Sequence, residues 1–237
     1  MKKFSSVTAV AIAIILAIGI AGSGLFIDCG IRYFKNFDRY VEVKGLAESQ
    51  VIADRASWQI GFTTSGADLK EIYSNINREQ DQVITFLINQ GFNVNEIQKQ
   101  PVSLFDNYAN SYSNNTKVAH YTANAGVTIT TNKINHVVNA VQMTNQLIEQ
   151  GVLLNNNNVN YTYTGLNNIK AGMLNSALAS ARISAGEFAT NSGSKLGKIR
   201  MASQGVFTIS ALDGFSGDSS SIKKVVRVVT TVQFFLK

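Results

Sequence analysis

The stretch of the chain whose residue types come nearest to a reactive site is ASARISAGEFATNSGSKLGKIR, residues 179–200. Gly193, Gly197 and Lys198 are the residue types of a loop that binds phosphate. A P-loop, however, has about four residues between its glycines and a Ser or Thr after its lysine. Here three residues separate the glycines, and Ile199 follows Lys198. The spacing therefore argues against a nucleotide site.

Helical periodicity explains the same stretch in structural terms. A helix is predicted from about residue 169 to residue 192, and Gly193 is predicted to end it in the left-handed conformation. The lysines that follow would lie near the negative end of the helix dipole, whereas phosphate binds at the opposite end. Apolar residues at three- and four-residue steps predict one buried stripe, formed by Leu174, Leu178, Ala181, Ala185 and Phe188.

His120 and His136, the only histidines, could in principle bind a metal. A predicted strand separates them, and no cluster of cysteines or carboxylates accompanies them at ligand spacing. We therefore expect structural roles for both histidines, and we expect neither a metal nor a cofactor.

Carboxylates are the other candidates, because paired carboxylates can act as acid and base. Asp54 lies beside Arg55 near the start of a predicted strand, where a role in a turn or an ion pair is expected. Glu71, Glu79 and Asp81 fall in a predicted helix and are interpreted as its solvated face. No catalytic residue is predicted.

The net charge of +6 is diffuse, and only 15% of residues are charged. Lys195, Lys198 and Arg200 form a dense cationic group without the interleaved aromatic residues of a nucleic-acid surface, so no nucleic-acid partner is expected. These cations are interpreted as solvated residues at the ends of helices and strands. The alternative is a surface site that binds anionic lipid or glycan. Cys29 is the only cysteine, which excludes an intrachain disulfide.

The amino terminus is predicted to be a targeting signal or a membrane anchor. Two lysines precede an uncharged run of about the length that a helix needs to cross a bilayer. The interpretation is a cytoplasmic stub at residues 1–6, a transmembrane signal-anchor at 7–27 and a juxtamembrane segment at 28–40. A cleaved signal peptide, with a site at Ala21-Gly22-Ser23, is the alternative.

The rest of the chain alternates strand and helix patterns, and the predicted class is α+β with mostly antiparallel strands. Two related strand-helix-strand halves are suggested by FLINQGFNVNEIQ and QLIEQGVLLNNNNVN, which share a helix ending in Gln-Gly before a strand. The alanine-rich helix predicted at 169–192 would be the third helix of the domain. Pro101, the only proline, predicts an edge strand. Strands are predicted at 41–45, 51–64, 95–106, 118–131, 159–163, 199–210 and 225–236, and helices at 67–89, 134–150 and 169–192.

Three segments together resemble the SIMPL domain family over most of residues 41–237: VEVKGLAESQVIADRASWQIGFTTSG, ALASARISAGEFATNSGSKLGKI and VVRVVTTVQFFL. The resemblance implies an α+β domain of two related halves with no established enzymatic activity, so it supplies no catalytic residues. The transmembrane segment before the domain looks like the membrane-anchored bacterial branch. The residues that carry the family pattern, with Gly45 in the opening segment, are Ala181, Arg182, Ala189, Gly193, Lys195, Leu196 and Gly197.

The expected function is that of a non-enzymatic, membrane-anchored protein of the bacterial cell envelope that acts by binding or by homo-oligomeric assembly. Its location would be the inner membrane, with a single span and the domain in the periplasm; secretion to the periplasm after signal cleavage is the alternative. The competing function is an envelope hydrolase or a ligand-binding receptor whose site collects distant residues such as Asp54, His120 or His136.

Overall fold

The structure, a computed structural model, describes residues 15–20, 22–24, 26–27, 39–109, 119–214 and 219–237. The predicted stub at 1–6, Cys29 and the parts of segments 7–27 and 28–40 absent from these ranges lie outside the described residues. Within the described ranges, no helix combines the length and the apolar character that a bilayer span requires.

From residue 40 onward, strands and helices alternate as an α+β protein. A short 3₁₀ turn, Val94–Glu96, precedes β3. In chain order the elements are β1 Tyr40–Ile52, β2 Arg55–Gly66, α1 Leu69–Asn89, β3 Ile97–Lys99, β4 Ser103–Asp106, β5 Tyr121–Thr131, α2 Ile134–Gln142, α3 Asn145–Glu149, β6 Leu154–Thr162, α4 Leu166–Asn191, β7 Leu196–Gln204, β8 Thr208–Ala211 and β9 Lys223–Leu236.

One compact unit comprises the described residues up to 47, with 172–206 and 228–237. Its strands belong to a sheet of order β1-β9-β7, in which β7 runs antiparallel to β9. Helix α4 packs on this sheet through a small apolar core that contains Val43 of β1 and Val232 and Phe234 of β9. Ala181 and Ala185 of α4 complete the core.

The second unit comprises the described residues within 48–171 and 207–227. Its sheet has the order β3-β5-β2-β6, with β4 also paired to β5, and these pairs are antiparallel. Alternation in β2 buries Trp58, Ile60 and Phe62 on one face. Helix α1 covers that face with its own apolar stripe, which includes Ile72 and Ile76. The predicted antiparallel α+β class is confirmed.

Glycine ends three helices in the same way, because only glycine adopts positive φ without a steric penalty. The φ angles are 88° at Gly91, 88° at Gly151 and 67° at Gly193. In each case the N–H of the residue after glycine donates to the carbonyl five residues earlier: Phe92 to Leu87 (3.1 Å), Val152 to Leu147 (2.9 Å) and Ser194 to Ala189 (2.9 Å). The predicted stop at Gly193 is therefore observed.

Several predicted boundaries are wrong. The strand predicted at 51–64 is divided between β1 and β2, the strand at 95–106 is interrupted at Pro101, and the helix at 134–150 is divided into α2 and α3. The strand at 199–210 breaks before β8. Asparagines 155–158, which precede the strand predicted at 159–163, lie within β6, and pairing with β2 explains why the strand begins earlier. Pro101 does mark a sheet edge, since β3 and β4 both pair only with β5 among the described strands.

Candidate functional site

Strand β7 is the most exposed long strand edge of the first unit. It pairs with β9 on one side, and no other described strand adjoins it. Seven of its nine residues are exposed. They include two large apolar side chains, Ile199 (45% exposed) and Met201 (61% exposed). A long edge strand with apolar side chains is a template for pairing with another chain.

The packing of α4 explains why β7 remains uncovered. The helix buries Met173, Ala177, Ala181, Ala185 and Ala189, which recur every fourth residue. Val43, Val232 and Phe234 meet this stripe, whereas Leu196 is the residue of β7 that packs, partly buried, against the same core. The helix therefore covers β1 and β9 and leaves most of β7 exposed.

The predicted stripe on α4 is partly wrong. Ala181 and Ala185 are buried as predicted, but Leu174 and Leu178 are only half-buried and Phe188 is 61% exposed. The physical reason is the close approach at Gly45, where an added Cβ would lie 2.8 Å from the Ala181 Cβ and would also meet the Ala177 carbonyl oxygen. Only small side chains fit between strand and helix, so the alanine stripe faces the sheet.

The other residues of the family pattern mark the junction between α4 and β7. Gly193 ends the helix, and Leu196 packs on the core. An added Cβ at Gly197 would lie 2.8 Å from the Phe235 carbonyl oxygen, so glycine permits close pairing with β9. Arg182 lies on the exposed face of α4.

The three candidate cations do not form a uniform patch. Lys195 and Lys198 are exposed, and the backbone of Lys195 pairs with that of Lys237 through hydrogen bonds of 2.7 and 2.8 Å. The Arg200 guanidinium lies 4.2 Å from the centroid of the Tyr40 ring, a cation–π contact. Its Nη1 donates to the Gln233 Oε1 at 3.4 Å. Arg200 therefore ties β7 to neighbouring strands.

The residues considered for acid–base chemistry have separate structural partners. Both oxygens of Asp54 accept hydrogen bonds from Thr164, one from its backbone N–H at 2.8 Å and one from its hydroxyl at 3.0 Å. The His120 ring lies between Tyr108 and Tyr121, with centroids at 4.4 and 4.0 Å. His136 lies exposed on α2. No group of three or more metal-ligating side chains occurs within the described ranges.

Glu79 is the exception among the helix carboxylates and corrects the interpretation of the solvated face. Glu71 and Asp81 are exposed, but Glu79 is buried against β2 and accepts a 2.6 Å hydrogen bond from the Thr64 hydroxyl. Burial raises the pKa of Glu79, with the Thr64 bond and the Arg78 charge opposing that effect. The burial of Glu79 was predictable from the sequence, because helical geometry places residues 79–80 on the same face as Ile76 and Val83.

A second carboxylate, Glu96, was not singled out from the sequence. It accepts hydrogen bonds from the Asn93 backbone at 2.8 Å, the Thr131 hydroxyl at 2.7 Å and the Lys133 ammonium at 3.2 Å. Burial alone would raise the pKa of Glu96, but these bonds and the Lys133 charge outweigh it, so the pKa lies below its ordinary value. The network joins the 3₁₀ turn to the end of β5.

The profile of the SIMPL family, described as a protein of unknown function (DUF541), matches residues 41–232. The matched segment begins in β1 and ends in β9, so it includes parts of both units. No curated protein shows significant similarity to the chain.

Proposed function

Because the chain belongs to the SIMPL family, we propose that it is a non-enzymatic protein of the bacterial cell envelope that acts through homo-oligomeric assembly. The observation that carries this proposal is the exposure of β7, which has one strand neighbour and seven exposed residues of nine. Backbone groups at such an edge gain hydrogen-bond partners when a second copy adds its own strand.

The residue order of β7 suits pairing between two copies. A twofold axis makes an interface isologous, so the strand would meet itself in the antiparallel direction. With Met201 at the centre, this side chain would meet Met201 of the second copy, and Ala202 would lie opposite Arg200. Ile199 lies on the other face of the sheet, because the pairing of β7 with β9 is irregular between Ile199 and Met201. The arrangement keeps Arg200 from facing the same cation of the second copy.

The amino-terminal residues support the second part of the proposal. The uncharged run after Lys2 and Lys3 would anchor the protein in the inner membrane and place the domain in the periplasm. Secretion to the periplasm after cleavage near Ala21 is the alternative.

The repeated glycine-ended helix before a strand supports the further proposal of two related strand-helix-strand halves in the second unit.

Separate structural partners favour the non-enzymatic proposal over a hydrolase or receptor site assembled from distant residues. Asp54 is held by Thr164, and His120 is held between two tyrosine rings. Each residue therefore has a role in its own turn or hairpin.

Assembly is tested with the full chain by analytical ultracentrifugation in detergent. The wild-type chain should form a defined oligomer, and Met201→Lys should dissociate it because a charge on an edge strand opposes pairing. Ile183→Lys is the matched control, since Ile183 is an exposed apolar residue on α4 of the same unit. A wild-type monomer at all concentrations, or equal oligomers in both variants, would contradict assembly through β7.

A further inference from the structure

A groove of about 770 Å³ lies between α1 and β4 in the second unit. Leu69, Tyr73 and Asn77 line it from the helix, and Val102 and Leu104 line it from the edge of the sheet. The surface is mainly apolar although it is open to solvent. This groove does not include β7 or any residue considered for catalysis.

The pairing register of β4 with β5 explains why the sheet side of the groove is apolar. Leu104 pairs with Ala123, which is fully buried on the helix side of the sheet. Leu104 is therefore on the helix side, at 42% exposure, whereas the next residue, Phe105, is on the opposite side at 54% exposure. Alternation along β4 directs one apolar side chain toward α1 and leaves a comparable one outside the groove.

The backbone of β4 supplies the second feature. This strand pairs with β5, no other described strand adjoins it, and all four of its residues are exposed. An edge strand beside a helix-lined apolar groove is the geometry in which an extended peptide binds by strand addition. Main-chain hydrogen bonds provide affinity there, and alternate side chains enter the groove.

Charge limits the kind of peptide that fits. Among the described residues that line the groove, Lys70 is the only one with a formal charge, and it lies in the first turn of α1. An acidic side chain or a terminal carboxylate on the ligand would be attracted to it, whereas a cationic group would be repelled.

We propose that the groove between α1 and β4 binds an extended peptide segment of a partner protein. The peptide adds to β4 as an antiparallel or parallel strand, places alternate apolar side chains between Tyr73 and Leu104, and directs an acidic group to Lys70. This binding surface is separate from the proposed assembly edge, so either proposal can fail without the other.

The test uses the full chain in nonionic detergent and a fluorescein-labelled hexapeptide of alternating serine and valine with a free terminal carboxylate. Fluorescence anisotropy should show saturable binding. Leu104→Asp and Tyr73→Asp should each weaken binding roughly tenfold or more, because a charge replaces an apolar contact. Phe105→Asp is the matched control, and it should bind as the wild-type chain does.

Two modified peptides test the mode of binding. N-methylation of every second amide, made in both possible registers, should abolish binding in one register only, because one edge of an added strand faces β4. Amidation of the terminal carboxylate should weaken binding roughly threefold, and Lys70→Gln should remove that difference.

The proposal is overturned by absence of saturable binding, by equal losses in Leu104→Asp and Phe105→Asp, or by equal binding of both methylated peptides. Circular dichroism of each variant verifies folding. If one groove variant fails to fold, the other and the methylated peptides still decide the question.

Discussion

At the scale of single residues, two carboxylates have pKa values that are shifted in opposite directions. Burial raises the pKa of Glu79 despite its bond to Thr64, and hydrogen bonds with Lys133 nearby lower the pKa of Glu96. A group whose folded pKa is raised makes the protein lose stability as the pH rises from the unfolded to the folded pKa. A carboxylate whose folded pKa is lowered makes the protein lose stability as the pH falls toward that value.

We therefore expect Glu79→Gln and Glu96→Gln to change the pH dependence of stability in opposite directions. The free energy of unfolding of Glu79→Gln, relative to wild type, should rise as the pH increases above the ordinary value of 4.5. For Glu96→Gln the same difference should fall as the pH increases toward 4.5. At neutral pH the loss in Glu96→Gln should be roughly 1.5 kcal/mol, the lower end of the range for hydrogen bonds to a charged group.

Urea unfolding at a series of pH values measures both differences. Glu71→Gln, at an exposed position of the same helix as Glu79, is the control for a change of net charge. Parallel pH profiles for Glu79→Gln and Glu71→Gln would show that burial does not govern the titration of Glu79.

At the scale of elements, the contact between β1 and α4 determines how the first unit packs. Gly45 faces Ala177 and Ala181, and the buried helix positions recur at four-residue steps. Because both partners at this contact present backbone or Cβ atoms, no long side chain can rotate away to admit another atom. Close packing here depends on glycine opposite alanine.

Gly45→Ala should accordingly destabilise the protein by roughly 3 kcal/mol, the upper part of the usual range for overpacking. Gly186→Ala is the matched control, because an added Cβ on that residue of α4 meets no atom within 4 Å. The control should be stabilised by roughly 0.5–1 kcal/mol through helix propensity. Chemical unfolding compares the two, and a wild-type midpoint for Gly45→Ala would refute the close-contact explanation.

At the scale of the whole molecule, anchoring and assembly would act together. A membrane anchor confines copies to a surface and raises their effective concentration, which favours pairing through β7. The relevant unit would then be an oligomer at the periplasmic face of the membrane. Both parts of this proposal are accessible to independent measurement.

We expect the full chain to remain in the membrane after an alkaline wash, and external protease to cleave its domain in spheroplasts. Deletion of residues 1–27 should abolish membrane retention. Mass spectrometry distinguishes anchor from signal peptide, because an anchor leaves residues 7–27 in the mature protein. A soluble periplasmic product that begins after Ser23 would favour cleavage, and a protease-resistant domain would reverse the proposed orientation.

Features set by neighbouring residues were predictable from the sequence. The α+β class follows from the alternation of apolar periods, and the ends of three helices follow from glycine because the need for positive φ is local. Pro101 predicted a sheet edge for a similar reason, since proline lacks the N–H that an interior strand requires.

Only the tertiary structure decided which side chains those elements bury. Phe188 is exposed while Ala189 faces the sheet, Glu79 is buried, Arg200 stacks on Tyr40, and β6 incorporates the asparagine tract. Each outcome depends on a partner distant in the chain: Gly45, Thr64, Tyr40 or β2. The local sequence determines the available faces of a strand or helix, but burial is decided by the surface that packs against them.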